Sequence, residues 1–188
     1  MSIRLSAGAA ALALAAVLML DGGPALADER VCRSTLGAIT VDDVRVPQNA
    51  TCRMTGTRVK GNIKIYRGAT LDASRVVVIG NVQGEGARSV TVRNSSRIGG
   101  DVQVKQGRAA TVSSSTVDGN VQLESNSGLP QVISSVVDGD VQAFQNRGGV
   151  TIRNNPIDGN LQCKSNNPAP TGGSNIVQGN KEDQCRRL

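Results

Sequence analysis

The sequence contains no histidine and no tryptophan, and its 188 residues include one tyrosine, Tyr66, and one phenylalanine, Phe144. Without histidine there is no Ser-His-Asp or Cys-His nucleophile system and no imidazole ligand for a metal ion. With two aromatic side chains there is almost no platform on which sugars or the bases of single-stranded nucleic acid could stack. These absences exclude several classes of hydrolase and disfavour nucleic acid as a partner.

Long apolar runs are missing except near the amino terminus. Arg4 precedes a small and apolar run over 7–20, which Asp21 ends before it reaches the roughly 20 residues of a membrane span. A Gly-Gly-Pro break and the tripeptide Ala25-Leu26-Ala27 follow, as at a signal-peptidase site. We therefore expect residues 1–27 to be a signal peptide cleaved after Ala27. Residues 28–188 are expected to form one secreted or periplasmic domain without a transmembrane span.

Glycine is abundant, and much of it belongs to a repeat of about 20 residues. Each unit reads Val or Ile, a variable residue, Gly, Asn or Asp, then in most units an aliphatic residue and Gln. Apolar and polar residues alternate on both sides of the glycine, which predicts short strands joined by turns. The repeated glycines are Gly61, Gly80, Gly100, Gly119, Gly139, Gly159 and Gly179.

This period and composition predict an all-β, right-handed parallel β-helix, that is, a β-solenoid of about seven to eight coils. A leucine-rich repeat would need a leucine framework, and helical repeats are longer and tolerate less glycine. Equivalent residues on successive coils would lie about 4.8 Å apart, so the Val and Ile columns would form the interior. The glycine column is expected where φ is positive or where two backbones approach closely. Asn126, Asn146 and Asn166 are expected to form an amide ladder.

Four cysteines in an exported chain suggest two disulfides. Cys32 and Cys52 lie 20 residues apart, and Cys163 and Cys185 lie 22 apart, so each pair is separated by about one coil. Pairing across the two ends would span about 30 Å, which disulfide geometry excludes. We expect Cys32–Cys52 and Cys163–Cys185 to close the two ends of the solenoid. The stretch 166–173, rich in Pro and Gly, is expected to be a loop that interrupts the last coil.

A column of aspartates precedes the turn glycines. Asp118, Asp138 and Asp158 would stack about 4.8 Å apart and repel one another, and Ca²⁺ would relieve that repulsion. The alternative is that these residues only shape the turns, their oxygens accepting hydrogen bonds from local backbone N–H groups. We favour the turn interpretation and expect no cofactor, with a calcium site at this column as the open alternative.

Charge is distributed unevenly along the chain. Residues 53–108 contain 11 basic and 3 acidic residues, whereas residues 109–160 contain 2 basic and 5 acidic residues. A basic half of a solenoid suits an anionic partner, such as an envelope polysaccharide or an acidic protein. The candidate anion-binding face consists of Arg67, Arg75, Arg93 and Arg97.

Two motifs carry a resemblance to a known group of proteins. The iterated Gly-Asn-Val-Gln units and the Cys-bounded ending, from Cys163 to Cys185, resemble a group of small secreted bacterial proteins that are classed as hypothetical proteins. The resemblance implies bacterial export and brings no catalytic residue. A second similarity, at the level of the fold, is to right-handed β-helix enzymes of the pectate-lyase type.

Two functions follow as expectations. The first is a non-catalytic structural or binding module that engages an anionic polymer through its basic N-terminal half. The second is a small polysaccharide-active enzyme with a surface site of aspartate and arginine, in which Arg97 would lie near Asp118. The short coils leave no long loops to build a cleft, so we favour the module over the enzyme.

Overall fold

Residues 28–188 are described in the computed structural model, and they wind into a parallel β-solenoid of about 20 residues per coil. Every strand pairs in parallel with the equivalent strand of the next coil, so that the strands form three sheets of nine, eight and eight members. This part of the chain contains strands and turns but no helix. The predicted fold and number of coils are confirmed, and the right-handed sense of the coil stays a prediction. The predicted signal peptide, 1–27, lies outside the described residues.

Each sheet forms one flat face of the solenoid. The first face consists of β1 (Glu29–Val31), β4 (Asp43–Val46), β7 (Ile63–Ile65), β10 (Val82–Glu85), β13 (Val102–Lys105), β16 (Val121–Glu124), β19 (Val141–Phe144), β22 (Leu161–Lys164) and β25 (Lys181–Asp183). The second face consists of β2 (Thr35–Leu36), β5 (Thr51–Thr55), β8 (Thr70–Ser74), β11 (Ser89–Arg93), β14 (Ala109–Ser113), β17 (Gln131–Ile133), β20 (Thr151–Arg153) and β23 (Thr171–Gly173). The third face consists of β3 (Thr40–Val41), β6 (Arg58–Val59), β9 (Val77–Val78), β12 (Arg97–Ile98), β15 (Thr116–Val117), β18 (Val136–Val137), β21 (Pro156–Ile157) and β24 (Ile176–Val177).

The interior is a stack of aliphatic side chains, as the alternating pattern predicts. Within the first face, Val82 pairs in register with Val102, which pairs with Val121, and all three are fully buried. Their neighbours in sequence, such as Gln83 and Gln103, point outward. Because the strands alternate inward and outward side chains, burial of every second residue stabilises all three sheets together.

The turn between the third and first faces, which we call the glycine corner, contains the repeated glycines. Their φ angles lie outside the positive range, whereas several serines and asparagines at the other corners do adopt positive φ, Ser114 and Asn154 among them. A Cβ added to Gly80 would lie 2.6 Å from Oδ1 of Asn62 and 2.7 Å from the carbonyl oxygen of Gly61. Close approach between coils, rather than backbone conformation, therefore requires glycine here.

A ladder of Asn and Asp side chains runs along the glycine corner. Oδ1 of Asn62 accepts a hydrogen bond from the backbone N–H of Asn81 (2.9 Å), and Oδ1 of Asn81 accepts one from Asp101 (2.7 Å). Oδ1 of Asp101 then accepts from the N–H of Asn120 (2.7 Å), and the pattern continues to Asn180. Each coil is thus fixed to the next by a side-chain oxygen.

A second ladder, fully enclosed, follows the corner between the first and second faces. Oδ1 of Asn146 accepts from the backbone N–H and the Nδ2 of Asn126, at 3.1 and 2.9 Å. Asn166 accepts from Asn146 in the same way, at 3.1 and 2.8 Å. Oε1 of Gln184 completes the series by accepting from the N–H of Asn166 (2.8 Å). The predicted amide ladder is confirmed, and Gln184 terminates it.

Disulfides join Cys32 to Cys52 and Cys163 to Cys185, as predicted, with Cα–Cα distances of 5.5 and 5.2 Å. Both lie near an end of the solenoid, and their four cysteines are buried. A loop was expected over 166–173, but the end of this stretch, Thr171–Gly173, is a strand that pairs with Thr151–Arg153. The backbone of this segment therefore completes the second face.

Candidate anion-binding site

The four arginines predicted as an anion-binding face occupy different positions on the solenoid. Arg67 lies at the corner between the first and second faces, which we call the first corner, and Arg75 lies at the corner between the second and third faces. Arg93 ends a strand of the second face, and Arg97 begins one of the third. They therefore do not form one continuous face.

Two of these arginines are already engaged by carboxylates. Nε and Nη2 of Arg93 donate to the two carboxylate oxygens of Asp72, at 2.9 and 3.1 Å. This hydrogen bond and the charge of Asp72 raise the pKa of Arg93 above its ordinary value. Nη2 of Arg97 donates to Oδ2 of Asp118 at 2.8 Å. An incoming anion would have to compete with these carboxylates, whereas Arg67 and Arg75 form no ion pair within residues 28–188.

The first corner brings further unpaired cations next to Arg67. The backbone N–H of Arg88 donates to the carbonyl of Ala69, and that of Arg108 donates to the carbonyl of Ala87, so Arg88 and Arg108 occupy equivalent positions on successive coils. Arg67 lies on the coil before Arg88, two residues earlier in the corner than Ala69, which is in register with Arg88. All three arginine side chains are exposed. Neither Arg88 nor Arg108 forms an ion pair with any residue of the described range. We call Arg67, Arg88 and Arg108 the arginine ridge.

An exposed tyrosine lies beside the arginine ridge. Tyr66 retains 46% of its accessible surface and borders two shallow depressions of about 250 and 330 Å³. One depression is on the first face and includes Lys64 and Lys105, and the other includes Arg67. Glu85 is the acidic residue lining the first depression. The lone tyrosine thus lies among basic side chains, with an open surface on either side.

The aspartates predicted as a calcium site lie along the third-face side of the glycine corner. Asp138 and Asp158 are exposed, whereas Asp118 is half-buried and bound to Arg97. The second carboxylate oxygen of Asp118, Oδ1, is enclosed and has no hydrogen-bond partner among residues 28–188. Among residues 28–188, no group of three or more Cys, Asp or Glu side chains is arranged to hold a metal ion. Calcium binding at this column stays a prediction.

Sequence reasoning included Arg67 but left Arg88, Arg108 and Tyr66 out of the candidate site. The signal for Arg88 and Arg108 is present in the sequence, because both directly precede a strand of the second face and they are 20 residues apart. Arg67 does not share their column, because the register places it against Gly86 of the next coil, and Ala69 is the residue in register with Arg88.

Comparison with known proteins adds no relative: no family model matches the chain, and no curated protein or solved structure matches it. The resemblance to small secreted bacterial proteins therefore stays a prediction, while the similarity of fold to parallel β-helices is confirmed. The described residues contain no helix with the length and apolar character that a membrane crossing requires. Two disulfides are typical of a protein that resides in an oxidising, extracellular environment.

Proposed function

We propose that this protein is an exported, non-catalytic binding module whose basic N-terminal half engages an anionic polymer of the bacterial envelope or extracellular space. The observation that carries the proposal is the arginine ridge, in which Arg67, Arg88 and Arg108 are exposed on three successive coils and form no ion pair in the described range. Lys64, exposed on the first face beside Tyr66, adds a fourth cation next to this corner.

The spacing of the ridge favours a polymer over a small anion. Successive coils lie about 4.8 Å apart, so Arg88 and Arg108 are stacked at about that spacing, and Arg67 lies on the coil before them, two residues earlier in the corner. Each exposed contact is weak because water and salt screen it. Several contacts made by one chain of linked anionic groups add their free energies, since the later contacts are intramolecular. An acidic polysaccharide with one carboxylate per sugar fits this arrangement.

Export belongs to the proposal as well. It is supported by the predicted signal peptide and by the two disulfides, which form in oxidising compartments. The bacterial origin, with a secreted or periplasmic location, rests on the resemblance described above.

The experiment that tests the function is retention on a resin that carries polygalacturonate, with a neutral dextran resin as reference. We expect the protein to be retained at low salt and released as salt shortens the screening length from about 30 Å at 0.01 M to about 8 Å at 0.15 M. The triple variant Arg67→Ala, Arg88→Ala, Arg108→Ala is expected to appear in the unbound fraction.

A matched variant separates a localised site from overall charge. Arg147, Arg153 and Lys164 are exposed, lie in the C-terminal half and form no ion pair in the described range, so changing all three to Ala removes the same charge. This control is expected to keep most of the retention. Equal losses in the two triple variants would mean that net charge alone causes retention, and the arginine ridge would then be rejected as the binding site.

A second candidate function, the polysaccharide-active enzyme, is supported by one contact. Arg97 and Asp118 are bound at 2.8 Å, and Oδ1 of Asp118 has no partner, so this pair has the residue types that the enzyme requires. The test is release of new reducing ends from polygalacturonate, with and without calcium. Activity that Asp118→Asn abolishes and Asp158→Asn preserves would support the enzyme, whereas no release by the unaltered protein would reject it.

A further inference from the structure

The third face exposes two parallel columns of side chains, one on each side of the buried valine and isoleucine column. The strand register places the first column at successive coils. Its members, from the N-terminal coil onward, are Thr40, Arg58, Val77, Arg97, Thr116, Val136, Pro156 and Ile176. The second column follows two residues later in each coil, and its members are Asp42, Lys60, Ile79, Gly99, Asp118, Asp138, Asp158 and Gln178.

Charge is separated along this face. Arg58 and Lys60 lie in the second coil of the face, whereas Asp138 and Asp158 lie in the sixth and seventh. Arg58, Asp138 and Asp158 are exposed and form no ion pair within residues 28–188, and Lys60 pairs with the exposed Asp42 at 3.1 Å. The basic and acidic ends of the face thus retain charges that a partner can neutralise.

Apolar side chains are also concentrated on this face. The structure exposes seven large apolar side chains in the described range, and three of them, Ile79, Val136 and Ile176, belong to the two columns. Ile176 is the most exposed of the seven, at 68%. Ile39, a fourth member of the seven, directly precedes the first column. Exposed apolar groups that share one flat surface are typical of an interaction site.

Two copies can stack these faces about a twofold axis in two ways, and charge distinguishes them. If the solenoid axes are parallel, each coil lies on the equivalent coil of the second copy, and Arg58 faces Lys60 of that copy. If the axes are antiparallel, the second coil lies on the seventh and the third lies on the sixth. Lys60 then faces Asp158 and Val77 faces Val136. Arg58 faces Pro156 and Ile79 faces Asp138. Only the antiparallel arrangement brings opposite charges together, as a self-complementary interface requires.

We propose that the third face is a self-association surface that forms an antiparallel, twofold-symmetric dimer. Eight strands at about 4.8 Å spacing give a contact roughly 34 Å long, and two columns of side chains give a width of about 12 Å. The resulting area, roughly 400 Å² per partner, is about half that of a standard interface. The dimer is therefore weak, forms at high micromolar protein concentration and dissociates as salt rises. This surface is separate from the arginine ridge, so the proposal does not rest on the proposed function.

The test is sedimentation equilibrium of the purified protein from about 10 to about 500 µM at low salt, a range that spans weak association. We expect a reversible rise from monomer to dimer mass. The reversals Asp138→Lys with Asp158→Lys, in one variant, and Arg58→Glu with Lys60→Glu, in another, are each expected to abolish the dimer because positions 60 and 158 then carry like charges across the interface. An equimolar mixture of the two variants is expected to dimerise again, since position 60 of each variant then faces a charge of opposite sign at position 158 of the other.

The mixture also controls for misfolding, because an unfolded variant cannot restore association. A third variant, Glu85→Lys with Glu124→Lys, makes on the first face the same change in charge as Asp138→Lys with Asp158→Lys and is expected to dimerise like the unaltered protein. A monomer at every concentration would overturn the proposal. A dimer that survives both third-face reversals would overturn it as well, since the interface would then lie elsewhere.

Discussion

The enclosed asparagine ladder makes a quantitative prediction about stability. Asn146 is fully buried, and replacing it with Ala removes the oxygen that accepts from the N–H and the Nδ2 of Asn126. It also removes the Nδ2 that donates to the carbonyl of Leu123 at 2.9 Å. The Nδ2 that donates to Oδ1 of Asn166 is lost as well, so four buried polar groups lose a partner, although Nδ2 of Asn126 and Oδ1 of Asn166 each keep another. With about 1–3 kcal/mol for each of the other two, we expect Asn146→Ala to lower the free energy of unfolding by about 2–6 kcal/mol and the melting temperature by roughly 5–20 °C.

A second substitution separates lost hydrogen bonds from lost volume. Asn146→Asp keeps the shape and the accepting Oδ1, but it places an oxygen where Nδ2 donated to Leu123 and to Asn166. The buried carboxylate is disfavoured, so its folded-state pKa is raised, and the stability lost at neutral pH is recovered as the pH falls through that raised pKa.

Equilibrium unfolding in guanidinium chloride, with the disulfides intact, measures these changes. Asn180→Ala is the control, because Asn180 is exposed and only its backbone N–H takes part in the ladder. We expect the control to change the free energy of unfolding by less than about 0.5 kcal/mol. If Asn146→Ala were as mild as Asn180→Ala, the ladder would contribute nothing to stability and the reasoning would be wrong.

Three further predictions concern the glycine corner and the disulfides. Gly80→Ala should lower the melting temperature strongly, because the new Cβ would lie 2.7 Å from a backbone oxygen. Gly37→Ala should leave the melting temperature nearly unchanged, because no atom lies within 4 Å of its Cβ. Thermal unfolding followed by circular dichroism compares the two variants. Asn120→Asp should lower the free energy of unfolding by about 1 kcal/mol per neighbouring carboxylate at pH 7, since three carboxylates, those of positions 101, 120 and 140, would then stack in a row. Urea unfolding at pH 7 and pH 4 should show that this loss of stability is smaller in acid. A loss that does not change with pH would contradict the repulsion. Replacing both Cys163 and Cys185 with Ser should cost on the order of 3 kcal/mol by chemical denaturation, and a loss below about 1 kcal/mol would mean that the closed loop is already ordered without the bond.

The repeat made the fold predictable because each column repeats the same physical requirement. Valine and isoleucine recur where the interior needs them, and Asn126, Asn146 and Asn166 keep one residue type through three coils. A third ladder was not predicted, although Asn155 and Asn175 form it at 2.9 Å at the corner between the second and third faces. Its column continues as Ser135, whose N–H donates to Asn155, so the residue type changes while the hydrogen-bonding role is kept. A search for identical residues does not detect such a column.

The candidate site was harder to predict because charge pairing depends on register. Asp72 and Arg93 are 21 residues apart in the sequence, and their contact follows from the pairing of Thr91 with Asp72 on adjacent strands. Net charge per segment locates the basic half correctly, but it cannot separate an arginine held by a neighbour from one that is free, such as Arg108.

The direction of the hydrogen bonds between coils determines how the protein responds to mechanical force. These bonds run along the solenoid axis and join the coils in series, so tension on the two ends breaks the contacts of one coil after another rather than shearing all of them together. Each released coil of about 20 residues would lengthen the chain by roughly 65 Å, the extended length less the spacing of one coil. The disulfides prevent the segments 32–52 and 163–185 from extending. Stretching should therefore produce a short series of equal steps and leave both closed ends intact.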